Sequence, residues 1–239
     1  MGPSPSVFNR DDADQVVDLF EQIAPHYDRL NDLLSLGLHR HWKRRALRWL
    51  SPRPGQALLD LCCGSGDLAL LMAAAVRPGG SVLGLDAAAA PLALARRRSA
   101  RQPWLSLDWL QGDALATGLE AETFDAVAMA YGLRNLSDPA AGLAEVLRLL
   151  RPGGRAAVLD FNRPEDERVA AFQRAYLRRL VVPVARRAGL EPHYAYLERS
   201  IAHFPTAARQ EQLAGEVGFS HARHRPLAVG LMGLLELRR

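Results

Sequence analysis

The stretch ALLDLCCGSGDLALL, residues 57–71, decides the fold. An apolar run ends at Asp60-Leu61, passes two cysteines and a Gly/Ser turn, and becomes apolar again after Asp67. A short β-like run, a glycine turn and a helical pattern read as strand, tight turn and helix. The letters GSGDLA fit G-x-G-x-x-G/A, and Asp86 lies 20 residues beyond Gly66, at the end of the next β-like run. Gly64 and Gly66 let the backbone come close to a ligand, and an acidic residue after the second strand can accept from ribose hydroxyls. A bound nucleoside explains this pattern, and so does a purely structural tight turn.

Outward from this unit, β-like runs at 57–61, 81–85, 105–110, 124–130 and 155–161 alternate with helical patterns at 66–76, 90–101 and 139–150. Alternation of this kind predicts an α/β fold with a parallel sheet covered by helices. Pro78-Gly79-Gly80 and Pro152-Gly153-Gly154 read as turns feeding two of the strands. An inserted helix is expected over 165–188 and another at about 206–217, before two closing strands, SHARHRPL and VGLMGLLELR. The sheet then has seven strands, mostly parallel. Upstream, Val16, Phe20 and Ile23 recur at helical spacing until Pro25, and a second helical stretch runs through Trp42 to Leu50. Residues 1–13 read as a disordered tail. Residues 14–239 read as a single domain: a helical cap at 14–52 and a core at 53–239 with a helical insertion at about 163–200.

Composition excludes more than it selects. Hydrophobic residues make up 49% of the 239 and charged residues 23%, values of an ordinary soluble globular chain. The net charge of +4 is carried by arginines scattered along the chain, with no basic stripe to suggest nucleic acid. Lys43 is the only lysine, which reads as coding bias. The only cysteines, Cys62 and Cys63, are adjacent; they cannot staple a fold and have no metal-ligand spacing, so no metal is expected. The chain start lacks the pattern of a signal peptide and no apolar run approaches a membrane span, which predicts a cytoplasmic protein.

The acidic residues narrow the ligand. Asp60 stands before the glycine turn and Asp67 behind it, where they would repel a pyrophosphate seated on the helix N-terminus. They suit a cationic, phosphate-free nucleoside such as S-adenosylmethionine. A third carboxylate, Asp113, follows the third strand, where it can accept from the adenine amino group.

With these residues in place, DLCCGSG resembles the Asp/Glu-x-Gly-x-Gly-x-Gly motif of class I S-adenosylmethionine-dependent methyltransferases, with Cys62 in place of the first glycine. That replacement implies a position needing a small residue rather than a positive φ. FEQIAPHYDRLNDLLSLGLHRHWKRRAL, YGLRN (131–135) and RPGGRAAVLDFNRP resemble the quinone-biosynthesis C-methyltransferases of the demethylmenaquinone and ubiquinone type. LDLCCGSGDLALL, LVVPVA, YAYL and GLMGLLEL look most like the branch that methylates 2-phytyl-1,4-naphthoquinol. The resemblance covers about residues 16–237.

The resemblance implies a class I, Rossmann-like fold and S-adenosylmethionine as methyl donor, held by Asp60, Cys63, Gly64, Ser65, Gly66, Asp86, Ala87, Asp113, Ala114 and Tyr131. It places Arg134 and Asn135 near the substrate; the alternative for this pair is a helix-capping loop, since Asn135, Ser137 and Asp138 precede Pro139. Tyr27, Asn31 and His39 belong to an N-terminal segment that would close over the cleft, with His39 the candidate base by its ordinary pKa and Tyr27 equally suited to packing. The implied reaction is C-methylation of a prenylated naphthoquinol, demethylphylloquinol or demethylmenaquinol, in phylloquinone or menaquinone biosynthesis. Competing readings are a methyltransferase for a benzoquinol or other small molecule, an NAD-dependent oxidoreductase, a nucleic-acid methyltransferase, and a non-catalytic module that keeps S-adenosylmethionine as a structural ligand. Residues 172–187 carry five arginines among apolar residues and fit either a helix at a headgroup surface or an ordinary packed cap helix. Peripheral contact with a quinone-containing membrane and a homodimer are both compatible with the sequence.

Overall fold

The computed structural model describes residues 37–183 and 191–239, together with the isolated positions Val17, Asp18, Glu21 and Ser35. The expected tail at 1–13, the helical spacing of Val16, Phe20 and Ile23, and Tyr27 and Asn31 lie outside the described residues.

Helix α1 (His39–Leu50) precedes the sheet. Then follow β1 (Ala57–Leu61), α2 (Asp67–Ala75), β2 (Ser81–Asp86), α3 (Ala89–Ser99), β3 (Leu107–Gln111), β4 (Phe124–Ala130), α4 (Pro139–Leu149) and β5 (Leu150–Phe161). The chain ends with α5 (Glu167–Tyr176), α6 (Glu191–His203), α7 (Ala207–Val217), β6 (His221–Leu227) and β7 (Met232–Arg238). The seven strands form one sheet in the order β3-β2-β1-β4-β5-β7-β6. The first five are parallel, while β7 runs antiparallel to both β5 and β6. This is the expected α/β architecture.

β1 has β2 on one side and β4 on the other. Its Leu58, Leu59 and Leu61 are completely buried, because a central parallel strand is covered on both faces and alternation gives way to a continuous apolar run. Leu68 and Met72 of α2 join Leu58 and Trp42, Ala46 and Leu50 of α1 in one apolar layer. Leu143 and Val146 of α4 and Ala214 of α7 join Leu59 and Leu61 in the other. The chain therefore departs to opposite faces after β1 and after β4. A crevice opens between the carboxyl ends of those two neighbours, where ligands of open α/β sheets bind.

One expectation is corrected. Pro152-Gly153-Gly154 does not precede a strand but lies inside β5: Leu150 already pairs with Phe124, and the register then shifts before Ala126 meets Arg155. The glycines let the extra residues bulge out, with Gly153 at φ 75°. The inserted helix runs from Glu167, passes through a π-turn over Leu177–Val181 and is still helical at Pro183, while 184–188 lie outside the described residues.

Candidate active site

The glycine turn sits at the end of β1, over the crevice. Cys62 has φ 59°, so the first glycine position of the motif does take a left-handed backbone, contrary to the expectation that only small size mattered there. The cause lies across the crevice. A Cβ on Gly132 would stand 2.6 Å from Cys62 Cβ and 2.8 Å from its Sγ, so the YGLRN backbone rests directly on the cysteine. The second cysteine, Cys63, is buried and its amide donates to Leu85 O at 3.0 Å. Burial and nearby carboxylates push both thiols well above their usual pKa; Asp86, Asp60, Asp160 and Asp113 all act on Cys62. Protonated thiols, one half-buried and one buried, are packing groups here, in line with the reading of the pair as small turn residues.

Gly66, at φ 82°, has a role the sequence did not disclose. A Cβ there would lie 2.4 Å from the Trp109 ring, and one on Gly84 would meet the same ring at 2.4 Å. Trp109 of β3 thus wedges between the turn and β2, its indole N–H donating to Ser99 Oγ at 3.0 Å. The turn is shaped by a tryptophan packed against it.

The acidic residues take three different states. Asp60, at the heart of the crevice, is 1% exposed. Neither of its oxygens has a hydrogen-bond partner among the described residues. Burial pushes its carboxyl up to about 7, opposed by Lys43 and the nearby Ala69 amide. Asp86 instead accepts from the Gly64 amide at 2.7 Å and the Ala88 amide at 3.0 Å. Burial raises its pKa, and those amides act against the rise. It therefore fastens the glycine turn to the end of β2. Asp113 is exposed and turns the chain after β3 by accepting from the Leu115 amide at 2.8 Å. Of the neighbouring candidates, Ala87 is exposed, its carbonyl accepting from the Gln111 side chain at 3.0 Å, while Ala114 is buried. The loop beyond is tied to α4 through Thr117, whose hydroxyl and amide both donate to Glu145.

Behind the turn, Arg98 of α3 donates to Ser65 Oγ at 3.1 Å and to Asp67 Oδ1 at 2.7 Å. Lys43 of α1 reaches Asp67 Oδ2 at 3.3 Å and stands 6.0 Å from the centroid of the Tyr131 ring. Helix α1 is held for this by Trp49, whose indole donates to Ala156 O at 2.9 Å. Glu21 bridges from the N-terminal segment, accepting from the Ala89 and Ala90 amides at the start of α3. His39 is buried on α1 and its Nδ1 lies 2.8 Å from Ser35 Oγ.

Opposite the turn, Tyr131 has φ 64°, a strained backbone for an aromatic residue. Two side chains hold it: Arg134 Nη1 donates to its carbonyl at 3.1 Å and Asn135 Nδ2 at 2.9 Å. Asn135 Oδ1 accepts from Arg134 and, at 2.8 Å, from the Tyr196 hydroxyl of α6. Arg134 is buried beside Asp160, with Nε 3.6 Å from Oδ1, and its guanidinium lies 5.3 Å from the Phe161 ring centroid. Burial raises the Asp160 pKa and Arg134 opposes the rise. The capping alternative is partly right, but for another residue: Asp138 caps α4 by accepting from the Ala140 and Ala141 amides. Asn135 faces Tyr131 and Tyr196 instead.

Sequence reasoning missed Lys43, Arg98, Asp160, Tyr196 and Glu21 as parts of this site. For Lys43 a signal existed: it lies on the stripe His39, Lys43, Ala46 and Leu50, which is buried throughout.

The residues present suit a cationic ligand: the buried carboxylate of Asp60, at the end of β1, has no hydrogen-bond partner among the described residues, and an unpartnered buried charge of this kind calls for a cation. Comparison with known proteins agrees. Residues 9–235 match the ubiE/COQ5 methyltransferase family. The chain is 51% identical over 216 residues, 90% of its length and 95% of the relative's, to 2-phytyl-1,4-naphtoquinone methyltransferase of Thermosynechococcus vestitus. It is 46% identical, over 97% of its length and 98% of the relative's, to the protein of the same name from Synechocystis sp.. Among solved structures it resembles a SAM dependent methyltransferase from Aquifex aeolicus, with TM-score 0.60 at 16% identity, over 82% of this chain and 88% of that one.

Proposed function

The chain belongs to the ubiE/COQ5 methyltransferase family of S-adenosylmethionine-dependent enzymes, and on that premise we propose that it C-methylates a prenylated naphthoquinol, demethylphylloquinol or demethylmenaquinol. The observation that carries this reading is the seating of YGLRN on the cofactor turn. Gly132 touches Cys62, which brings Arg134, Asn135 and Tyr196 beside the methyl-donor pocket. When bound, S-adenosylmethionine supplies an electrophilic methyl group on a sulfonium.

The protein's part is to prepare a carbon nucleophile. A quinone carbon is electrophilic, so the acceptor must be the quinol, which attacks as one hydroxyl gives up its proton and pushes electron density onto the adjacent ring carbon. The C–CH3 bond forms as the S–CH3 bond breaks to leave a neutral thioether. The ring carbon then loses its own hydrogen as a proton while the oxygen regains one, restoring the aromatic quinol. Arg134 stabilises the quinolate oxygen by its charge, and Asn135, fixed by Tyr196, orients that oxygen or a relaying water. His39, paired with Ser35, is the candidate base, and Tyr27 belongs to the same N-terminal segment. Phe161 and Tyr131, 6.1 Å apart between ring centroids, offer aromatic walls and keep water from the reacting carbon. Asp60, Cys63, Gly64, Ser65, Gly66, Asp86, Ala87, Asp113, Ala114 and Tyr131 form the donor side. Residues 14–239 act as one catalytic unit with 14–52 as its cap.

An acceptor with a long isoprenoid tail resides in a membrane. On α5 Phe172 is exposed and the exposed Arg168 lies one helical turn before it, a pairing suited to anionic headgroups. Among the described residues, no helix is long and apolar enough to cross a membrane. Mass spectrometry after incubation with isotope-labelled methyl donor and a panel of prenylated naphthoquinols and benzoquinols tests the function. Label on a ring carbon of the naphthoquinols supports the proposal; label confined to benzoquinols favours the alternative acceptor class.

A further inference from the structure

Lys43 is the one lysine of a chain that uses arginine at every other such basic position. It is 6% exposed, midway along a helix anchored to β5. Its one hydrogen-bond acceptor among the described residues is Asp67 Oδ2 at 3.3 Å, and Asp67 already has a shorter ion pair, with Arg98 at 2.7 Å. Asp67 therefore does not need Lys43 for neutralisation. Lys43 also acts electrostatically on Asp60, whose two buried oxygens have no hydrogen-bond partner among the described residues. The pocket thus holds an ammonium with donors to spare beside an unsatisfied carboxylate, and the two do not satisfy each other.

Side-by-side opposite charges of this kind match a zwitterion. We propose that Lys43 binds the α-carboxylate of the methyl donor's amino-acid end while Asp60 faces its α-ammonium. The proposal rests on the S-adenosylmethionine reading and adds the residue that recognises the carboxylate. A compact ammonium on a flexible stem fits between Asp67 and the Tyr131 ring, where the wider planar guanidinium of arginine would need to displace one of them. The contact is made equally in the methyl donor and in the demethylated product, so it serves affinity and selection of the amino-acid end rather than the chemical step.

Calorimetry on the full chain tests this with two ligands that differ only by the carboxylate: S-adenosylhomocysteine and its decarboxylated counterpart, S-adenosyl-3-thiopropylamine. Wild type should prefer the first by about 10- to 100-fold, the usual effect of a charge-assisted hydrogen bond. Lys43→Met should lose that preference by weakening only the first ligand. A Lys43→Met protein that keeps the wild-type preference, or weakens both ligands alike, overturns the proposal. If Lys43→Met does not fold, Lys43→Gln carries the same comparison, and absence of a preference in wild type is itself sufficient to overturn it. Binding of neither ligand to wild type would instead remove the cofactor reading beneath it.

Discussion

Asp60→Asn separates what the crevice costs the fold from what it does for the ligand. The native Asp60 carboxyl is raised from 3.8 to about 7 by burial, so the empty protein must hold an ionised, unsatisfied carboxylate at alkaline pH. A group whose pKa is higher in the folded state keeps its full stability below the unfolded value and loses it as pH rises through the folded one. At about 1.4 kcal/mol for each pH unit, the window from 3.8 to about 7 corresponds to roughly 4 kcal/mol, of which about 3 kcal/mol lies above pH 5. Asparagine keeps the shape without the charge. Ligand-free Asp60→Asn should therefore gain on wild type by about 3 kcal/mol between pH 5 and pH 8, read as the change in their difference in urea unfolding free energy. The same substitution should weaken S-adenosylhomocysteine at pH 8 by tenfold or more, because the α-ammonium loses its counter-charge. A stability difference that does not change with pH, or unchanged affinity, would refute the reasoning.

Other expectations follow from the contact between the two loops. Gly132→Ala should cost about 1–3 kcal/mol in urea denaturation, because its Cβ would overlap Cys62 Cβ at 2.6 Å. Adding Cys62→Gly should recover most of that loss; strictly additive effects would mean the two residues do not meet. Arg134→Ala should destabilise by about 3–5 kcal/mol, because it leaves the buried Asp160 uncompensated, and adding Asp160→Asn should restore much of it. Turnover of the stabilised double variant then reports on Arg134 toward the quinol without interference from unfolding. If Asp160→Asn rescues nothing, the ion pair is not what Arg134 contributes to the fold.

The central strands were legible because burial on both faces leaves a continuous apolar record, as in Leu58, Leu59 and Leu61. The acidic line-up of Asp60, Asp86 and Asp113 was legible for a related reason: each closes or follows a strand and needs no distant partner to be placed. What escaped depended on contacts far apart in sequence. The left-handed Cys62 makes sense only against Gly132, and Gly66 only against the Trp109 ring. Pro-Gly-Gly residues can turn or bulge, and pairing of Leu150 with Phe124 made them a bulge. Arg134 was expected near the substrate on the YGLRN motif alone, but the grip of Asp160, Tyr131 and Asn135 on it comes from three-dimensional packing. As the sole lysine, Lys43 reads in composition as coding bias, although a lysine on a buried stripe is expensive unless it has a task.

The most direct test of the account is the redox state of the acceptor. Under anaerobic conditions, demethylphylloquinone is offered with isotope-labelled S-adenosylmethionine, once after chemical reduction to the quinol and once strictly oxidised, and the ring-methylated product is quantified by mass spectrometry. Product is expected from the quinol, at a rate that rises with pH as the proton-accepting step titrates, and essentially none from the quinone. Equal methylation of the oxidised quinone with reductant excluded would contradict a mechanism built on a quinolate carbon nucleophile.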